Sequence, residues 1–509
     1  MVATERVQAV AMFDHAMQRN FLPSLIRRLK SEHGCAVHLY CAGPARKRYY
    51  ENINQVNLFD TISVHHVDVL EIDPITLNAE DVFGCARVWE NELGIGVNEI
   101  MVSDRHFGRG YAQGGFNHPR SRLSERTSFL QIVECYNRRI AFWHRELAEK
   151  GIDLIINGTR ELVAVAVACR VPLRRLIRSR HGNYYYWAFD DKLLHPGIEA
   201  GYRNVPEDTI VERLQEPAFA YQEGRRDFLR HNGGLVRLGH NLLRRLALHA
   251  YWHWKKSEKA KGYYLGEELR YHVRAWRELR RFTKGRFGRL DDMAKEPFVY
   301  FPMQTEPEFS MNNQSPEYFF QLPTIAQICR DLPAGMLLGV KETYFALGRR
   351  PRNFYDQICE LKNVVLMDLF EPGVDVIEKA AVTVTITGSA GHEAAVMGKP
   401  VISFGRHNPY NFLPHVKVVQ DSADLKRHLK GFLAGDFDQE QAKKDGQRYL
   451  QAMIDVSFDM GEFNYMKAGA ATDDVVVRAH QALIESLVWA EPRVLNTESA
   501  KASTEAQAS

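Results

Sequence analysis

Long apolar runs are missing from this chain of 509 residues. No stretch approaches the roughly 18 to 20 consecutive apolar residues of a membrane-spanning helix, and residues 1–10 lack the basic and apolar regions of a secretory signal. The seven cysteines include no C-x-x-C pair, which argues against a disulfide framework and a zinc site. We therefore expect a cytoplasmic protein. Its composition, 45% hydrophobic and 25% charged, is typical of a globular chain of about two to four domains.

Positive charge is concentrated in one segment of the chain. Residues 225–289 contain 18 lysines and arginines against 5 acidic residues, a local net charge of +13, so the rest of the chain carries −10 of the total of +3. Leu235, Leu238 and Leu242 recur there at helical spacing among arginines and predict basic amphipathic helices. The pattern fits a solvated helical hairpin, and it also fits attachment to an anionic inner-membrane surface or an acidic partner. No nucleic-acid-binding motif accompanies the charge, so we expect no nucleic-acid partner.

Strand and helix patterns alternate in two blocks of the sequence. The apolar runs of the second block are rich in valine and isoleucine, as in strands buried on both faces of a parallel sheet. The alternation predicts an α/β fold with two Rossmann-like domains, a central cleft between them and a basic helical insertion. The predicted strands are residues 7–13, 36–40, 62–66, 98–103 and 153–157 in the first block and 298–302, 336–341, 364–367, 382–387, 401–404 and 416–419 in the second.

Domain boundaries follow from the same patterns. The tail is rich in serine, alanine, threonine and glutamate and has little to bury, so we expect it to be disordered. We place the N-terminal Rossmann-like domain at 1–195, the helical insertion at 196–296, the C-terminal Rossmann-like domain at 297–424, C-terminal helices at 425–495 and the tail at 496–509.

A turn of small residues follows the predicted strand at 382–387. It reads Thr387-Gly388-Ser389-Ala-Gly and leads into a helix that we expect to begin near His392-Glu393. Free backbone amides at a helix start, together with the hydroxyls, form a natural phosphate site. Glu393 could accept hydrogen bonds from sugar hydroxyls. The alternative is a tight turn with an N-capping serine and no ligand.

Two further clusters follow predicted strands of the same block. Lys341, Arg349 and Arg350 place cations at the carboxyl edge of the sheet, where doubly wound folds bind ligands, although they could simply pair with surface acids. Gln304 and Glu308 follow the strand at 298–302 and could hold a carboxylate at the cleft or cap a neighbouring helix.

The first block also places titratable groups at strand ends. Asp14 and His15 follow the first strand, and Asp104 and Arg105 follow the predicted strand at 98–103. A carboxylate or imidazole there could act as general base toward an acceptor hydroxyl. Each of these residues could equally be a satisfied polar group of a loop.

Together the clusters of the second block form a recognisable order. The patterns Y-F-P-x-Q-x-x-P-E, V-K-E-x-x-x-x-L-G-R-R-P and T-I-T-G-S-A-G-x-E-A-A-x-x-G-K-P-V-I-x-F-G resemble the capsule and surface polysaccharide biosynthesis protein family. That family is similar to the bacterial glycosyltransferases that use CMP-linked 3-deoxy-manno-octulosonate. The resemblance covers roughly residues 297–421. It implies a GT-B architecture, with a nucleotide-sugar donor on the C-terminal domain and a glycan or glycolipid acceptor on the N-terminal domain.

The resemblance implies that Lys341, Arg349, Ser389 and Glu393 hold the phosphate and sugar of the donor, and the further roles below are our own hypothesis. Glu308, or Asp14 with His15, would activate the acceptor, and the basic insertion would meet the inner membrane or polysaccharide assembly and export partners. No Asp-x-Asp pair lies near the strands, so we expect no metal ion and no cofactor beyond the nucleotide-sugar substrate. The donor would contact residues from both clusters, namely Lys341, Thr343, Arg349, Arg350, Thr387, Gly388, Ser389, His392 and Glu393, with Gln304, Asp104 and Arg105 nearby.

One position departs from the family pattern. Related sequences read Lys-x-His-Pro where this chain has Thr343-Tyr344, and threonine supplies neither a cation nor a titratable proton near neutral pH. Either the donor differs or activity is weakened or lost. Two alternatives therefore stay open. One is an epimerase, because T-G-S-x-G-x-E-A-x-x-x-G-K-P-V also resembles the UDP-N-acetylglucosamine 2-epimerases, and the other is a non-catalytic assembly or export factor.

Overall fold

A computed structural model gives the structure of the chain in two compact units. Unit 1 contains the described residues up to His195 and those from Val456 onward, and unit 2 contains Pro196–Asp455. The structure describes residues 7–15, 20–54, 57–65, 67–102, 104, 125–216, 218–255, 264–285, 287–305, 309–318, 320–464 and 471–489.

The strands divide between two sheets, one in each unit. They are β1 Ala9–Phe13, β2 Ala36–Cys41, β3 Thr61–Val64, β4 Leu154–Ile156, β5 Leu173–Arg178, β6 Tyr184–Ala188, β7 Phe298–Pro302, β8 Leu337–Lys341, β9 Val364–Leu366, β10 Val382–Thr385, β11 Val401–Ser403, β12 Val416–Val418 and β13 Ser457–Asp459.

Helices flank both sheets. They are α1 Leu22–His33, α2 Pro44–Ile53, α3 Ala79–Leu93, α4 Val97–Val102, α5 Phe129–Glu149, α6 Arg160–Ala168, α7 Pro196–Asn204, α8 Ala218–Asn232, α9 Leu235–Trp254, α10 Leu265–Lys284, α11 Leu290–Met293, α12 Phe309–Gln314, α13 Gln321–Asp331, α14 Phe354–Glu360, α15 Gly373–Lys379, α16 Ser389–Val396, α17 Ser422–Leu433, α18 Gln439–Asp455 and α19 Asp473–Ser486. Among the described residues, no helix is long and apolar enough to cross a bilayer.

The sheet of unit 1 has the strand order β3-β2-β1-β4-β5-β6-β13. Its first five strands are parallel to one another. At the edge, β6 is antiparallel to β5, and β13 is antiparallel to β6. Val10 and Leu154 are fully buried, as expected for parallel strands covered by helices on both faces. The Trp187 side chain of β6 donates a hydrogen bond to the Ala479 carbonyl of α19 (2.9 Å). The C-terminal segment is thus part of unit 1.

The sheet of unit 2 is parallel throughout, with the order β9-β8-β7-β10-β11-β12. This is the strand order of the Rossmann fold, in which the chain starts in the middle and reverses direction between the first and fourth strands. Helices α8, α9 and α10 carry the basic segment and come between β6 and β7 in the sequence. The predicted fold class is confirmed: α/β, with two Rossmann-like sheets and a basic helical insertion.

Several local predictions were wrong or incomplete. Residues 98–103, predicted as a strand, lie largely in α4, because Val97, Ile100 and Met101 bury one helical face at spacings of three and four. Strands β5 and β6 were not predicted. In β5, the arginines interrupt the apolar pattern expected of a strand. Strand β13 also interrupts the segment predicted to be helical.

Candidate functional site

The segments singled out in the second block end at one edge of the unit 2 sheet. Gln304 follows β7, Lys341 ends β8 and Gly388 follows β10. Pro302 lies opposite Lys341 in register, and the Met303 amide donates to the Lys341 carbonyl (2.9 Å). Strand order reverses between β7 and β10, and doubly wound sheets bind ligands at the carboxyl side of that reversal.

Gly388, in the loop after β10, packs closely against Gln304 in the loop after β7. Its φ of 100° favours glycine, and a Cβ atom there would lie 2.6 Å from Oε1 of Gln304. Helix α16 begins at Ser389, earlier than predicted, and Gly388 provides no side-chain cap. Ser389 is half-buried, and its hydroxyl makes no hydrogen bond to the described part of the chain. The helix start therefore presents amides and a hydroxyl that could bind an anion.

The other residues predicted in this turn have protein contacts. Thr387 is fully buried, its Oγ1 lies 3.7 Å from Sδ of Met311, and its carbonyl accepts a hydrogen bond from the Thr385 hydroxyl. The Nδ1 atom of His392 lies 3.0 Å from the Tyr449 hydroxyl of α18. Glu393 is half-buried on the second turn of α16, because the helix begins at Ser389 and not near His392 as predicted. Thr387 thus shapes the turn through its backbone and side chain.

Lys341 is the most unusual charge at this edge. It is only 8% exposed, yet its ammonium group forms no hydrogen bond or ion pair with any residue that the structure describes. Burial lowers the pKa of Lys341 and the positive charge of Arg225 lowers it further, whereas the negative charges of Glu342, Asp368 and Glu371 act in the opposite direction. A largely buried cation that makes no direct ion pair is costly for the folded state. An anionic ligand would remove that cost.

Arg225 was not predicted as a site residue. It lies on α8 of the basic insertion, with its guanidinium 5.1 Å from the Phe370 ring centroid. Phe228, one turn later, packs on Tyr344 with ring centroids 5.6 Å apart, so α8 contacts the loop after β8. The sequence showed the positive charge of this helix, but no pattern could show which loop the helix contacts.

Arg350 is fully buried and bound by protein groups. Its Nε and Nη2 donate to the two carboxylate oxygens of Glu342 (2.7 and 2.8 Å), and Nη2 also donates to the Gln304 carbonyl (2.7 Å). The Tyr355 hydroxyl and the Thr343 amide donate to the same carboxylate. Arg350 and Glu342 therefore hold the loops after β7 and β8 together.

The end of this loop contacts the insertion. The guanidinium of Arg349 is half-buried, 5.9 Å from the Tyr271 ring centroid of α10, and its Nε has no hydrogen-bond partner within the described residues. The Gly348 amide donates to Glu278 of α10 (2.5 Å). Burial raises the pKa of Glu278 to about 7, despite the hydrogen bond from Gly348.

In unit 1, Asp14 and His15 follow β1 at the corresponding reversal, between β1 and β4, whereas Asp104 follows helix α4 and not the predicted strand. Asp14 is buried, accepts a hydrogen bond from the Tyr50 hydroxyl (2.6 Å) and pairs with Arg46. Partial burial of the His15 ring, followed by the positive charge of Arg175, lowers the pKa of His15, so its imidazole is neutral near pH 7. Asp104 accepts a hydrogen bond from Tyr136 (3.3 Å). Glu308 and Arg105 lie outside the described residues.

The fold and this edge define a doubly wound α/β protein with a candidate anion site. No family model and no curated protein matches the chain. Solved structures that match include UDP-GlcNAc 2-epimerase from Neisseria meningitidis bound to UDP-GlcNAc, at 10% identity, 94% of this chain, 99% of that chain and a TM-score of 0.29. A glycosyltransferase from Rickettsia africae matches at 7% identity, with 96% and 100% covered and a TM-score of 0.28.

A third match is KpsC of Thermosulfurimonas dismutans, a beta Kdo 2,7 transferase. It is 13% identical and covers 60% of this chain and 81% of that chain, with a TM-score of 0.26. The structural neighbours are thus glycosyltransferase-like and epimerase proteins. At these identities and TM-scores the likeness carries no argument about activity, and our assignment of the fold rests on the strand order of the two sheets.

Proposed function

We propose that this protein is a glycosyltransferase of bacterial capsular or surface polysaccharide biosynthesis that binds a nucleotide-sugar donor at the carboxyl edge of the unit 2 sheet. The observation that carries the proposal is Lys341, a largely buried cation whose ammonium group makes no direct ion pair or hydrogen bond within the described residues, near a second cation, Arg225. Phosphate is the part of a nucleotide sugar that such a pair would bind.

The dimensions of the edge suit this ligand. Lys341 and the start of α16 are separated by two strand spacings, about 10 Å. A donor phosphate between them would accept hydrogen bonds from the Lys341 ammonium at one end and from the Ser389 hydroxyl and helix amides at the other. In transfer, these groups would stabilise the charge that develops on the leaving phosphate. The proposal needs neither a metal ion nor a cofactor, and the acceptor-side roles of Glu308, Asp14 and His15 stay predictions.

Calorimetry and thermal shift against CMP-, UDP-, GDP- and dTDP-linked sugars test the donor site. A ligand that binds only the folded state raises the apparent stability. We expect one nucleotide class to do so, the effect to be lost in Lys341→Ala, and Lys295→Ala to behave like the parent. Lys295 is a matched control because it is an exposed lysine of unit 2 paired with Asp292. Binding that survives Lys341→Ala would contradict the proposal.

The same ligand then separates the alternatives. Transfer to a glycan or glycolipid requires an acceptor, whereas an epimerase changes the configuration of the sugar nucleotide when it is incubated alone. Binding without turnover under either condition would favour the non-catalytic assembly or export factor.

We further propose that the insertion brings this enzyme to the anionic inner-membrane surface, where a glycolipid acceptor lies. Helix α9 buries just one of its residues, Asn241, and exposes Val236, Leu243 and Trp254. A cavity of about 450 Å³ between α9 and α10 is lined by four apolar side chains and three arginines, namely Leu242, Leu246, Leu269, Val273, Arg270, Arg274 and Arg277. An apolar face bordered by cations is the pattern of interfacial helices.

Vesicle sedimentation tests the membrane proposal. The chain should sediment with vesicles containing anionic lipid and stay in solution with purely zwitterionic vesicles. Changing Arg270, Arg274 and Arg277 together to Gln should abolish this difference. The matched triple control changes Arg330, Arg406 and Arg427 to Gln, because these are exposed arginines of unit 2 outside the insertion. Equal binding by the triple variant and the parent would refute membrane docking through this hairpin.

A further inference from the structure

A cluster of metal-ligating side chains lies in unit 1, on helices that take no part in the proposed donor site. Glu32 and His33 are the last two residues of α1, and His480 lies on α19. The histidines are 447 positions apart in the chain, yet their Nε2 atoms are 3.2 Å apart. One potential ligand atom from each of the three side chains lies within 4.8 Å of the others.

The spacing of the two imidazoles suits one tetrahedral metal ion. At zinc–nitrogen distances of about 2.0 to 2.1 Å, two ligand atoms of a tetrahedron are about 3.3 Å apart. The observed 3.2 Å is close to that edge length.

The surroundings of the cluster favour a cation. Glu32 Oε2 lies 3.4 Å from Nδ1 of His480, so the carboxylate can hold that proton and leave the Nε2 lone pair directed toward His33. His33 ends α1, where the helix dipole presents partial negative charge. Arg28 pairs with the other side of Glu32 (2.5 Å) and is the one cation in direct contact with this carboxylate among the described residues.

We propose that His33, His480 and Glu32 bind a divalent transition-metal ion of the zinc class. The Nε2 atoms of His33 and His480 are the nitrogen ligands, and Glu32 orients His480 or rotates to become the third ligand. Imidazole ligands select zinc-class metals rather than magnesium or calcium. Such an ion would fasten α19, from the end of unit 1, onto α1, from its beginning. The site is structural and independent of the donor site.

Isothermal titration of the full chain with Zn²⁺, after treatment with a chelator, tests the site. We expect one ion per chain, a reduction in affinity of at least tenfold in His33→Ala, and a reduction of about tenfold in Glu32→Gln, the usual effect of losing an orienting partner. His33 is the primary target because His480 is buried, so replacing His480 is more disruptive to folding.

A second histidine pair supplies the matched control. His249 and His253 on α9 also place Nε2 atoms close together, 2.9 Å apart, but both lie on one helix, and the described residues supply no third metal-ligating side chain there. The double variant His249→Ala/His253→Ala should bind zinc at the unit 1 site as the parent does. Zinc affinity that is unchanged in His33→Ala, or lost only in the α9 double variant, would overturn the proposal, as would absence of binding.

Two further measurements report the coordination geometry of the metal ion and its effect on the stability of α19. Co²⁺ in place of Zn²⁺ should give the visible bands of a tetrahedral site without thiolate charge transfer, which separates this cluster from the free cysteines. Hydrogen exchange in α19 should slow when zinc is added to the parent and stay unchanged in His33→Ala. Equal slowing in both proteins would assign the metal elsewhere.

Discussion

The two sheets share the order of their first five strands. They differ in how the buried charged side chains are paired at the point where the strand order reverses. In unit 1, Asp14 is satisfied by Arg46 and the Tyr50 hydroxyl. In unit 2, Lys341 is also buried, but its ammonium group makes no direct ion pair with a described residue, and the carboxylates of Glu342, Asp368 and Glu371 act on it only from a greater distance. A buried charge without a direct ion pair destabilises the folded state. We therefore infer that the charge of Lys341 serves to bind a ligand.

The same contrast exists within unit 2. Lys341 at the end of β8 and Arg350 in the loop after it are both buried cations, but Arg350 is held by both oxygens of Glu342. Burial therefore does not distinguish a structural cation from a ligand-binding one. The number of protein acceptors around it does.

The largest effect we expect is on stability, from Arg350→Met. Removing the guanidinium leaves Glu342 as a buried carboxylate without its counterion, which costs about 3 to 5 kcal/mol of unfolding free energy. Urea denaturation measures the loss. The control is Arg349→Met, in which no buried ion pair is broken. Equal stability of the two variants would mean that Arg350 is not the structural cation.

Lys341→Met should show the opposite behaviour. The apolar side chain removes a buried unpaired charge, so the unfolding free energy should stay the same or rise. Donor affinity should fall about 10- to 100-fold, the value of a charge-assisted hydrogen bond of ~1.5 to 3 kcal/mol. Calorimetry and urea denaturation on the same preparation give both quantities. A destabilised variant with intact binding would reverse the roles that we assign to Lys341 and Arg350.

Glu278 makes the contact between the insertion and the loop after β8 dependent on pH. Its folded pKa of about 7 is above that of an unfolded glutamate, so the native state binds more protons between about pH 4.5 and 7. The contribution of Glu278 to the unfolding free energy is complete below about pH 4.5. It decreases as the pH rises and is lost above about pH 7. The stability of Glu278→Gln relative to the parent should therefore rise by about 2 to 3 kcal/mol from pH 5 to pH 8. A relative stability that is constant with pH would exclude a raised pKa.

The smallest effect concerns Ser389. Its hydroxyl is expected to contribute one hydrogen bond to the donor, so Ser389→Ala should weaken binding about two- to tenfold, or ~0.5 to 1.5 kcal/mol. Ser422→Ala is the matched control, because Ser422 is the first residue of α17 as Ser389 is of α16. Titration calorimetry with the donor identified above measures both. A similar loss in the two variants would remove Ser389 from the site.

Much of the framework could be predicted from sequence because it depends on short-range patterns. Strand β7 matched its predicted bounds at 298–302, and the segments carrying Gln304, Lys341 and Gly388 reached one sheet edge because parallel strands end together. Strand β5 could not be predicted, since Arg174 and Arg175 are buried in it and break the apolar pattern.

The partners of individual charges could not be predicted. Lys341 and Arg350 are separated by nine positions and have the same sign, and the sequence does not show that Glu342 turns toward Arg350. Arg225 is more than a hundred residues before Lys341, and its approach depends on how α8 packs against Tyr344 and Phe345. Contacts between distant segments carry no local signature in a single sequence.

The return of the chain to unit 1 has a consequence for biosynthesis. Strand β13 pairs with β6, and α19 packs against unit 1, yet 260 residues of unit 2, Pro196–Asp455, are translated between β6 and β13. At about 5 to 20 residues per second, that interval lasts roughly 15 to 50 s on the ribosome. Unit 2 can therefore fold as a whole before unit 1 receives its last strand. During that interval the open edge of β6 is an exposed pairing surface, and it is where a nascent chain of this protein would be most prone to association with another.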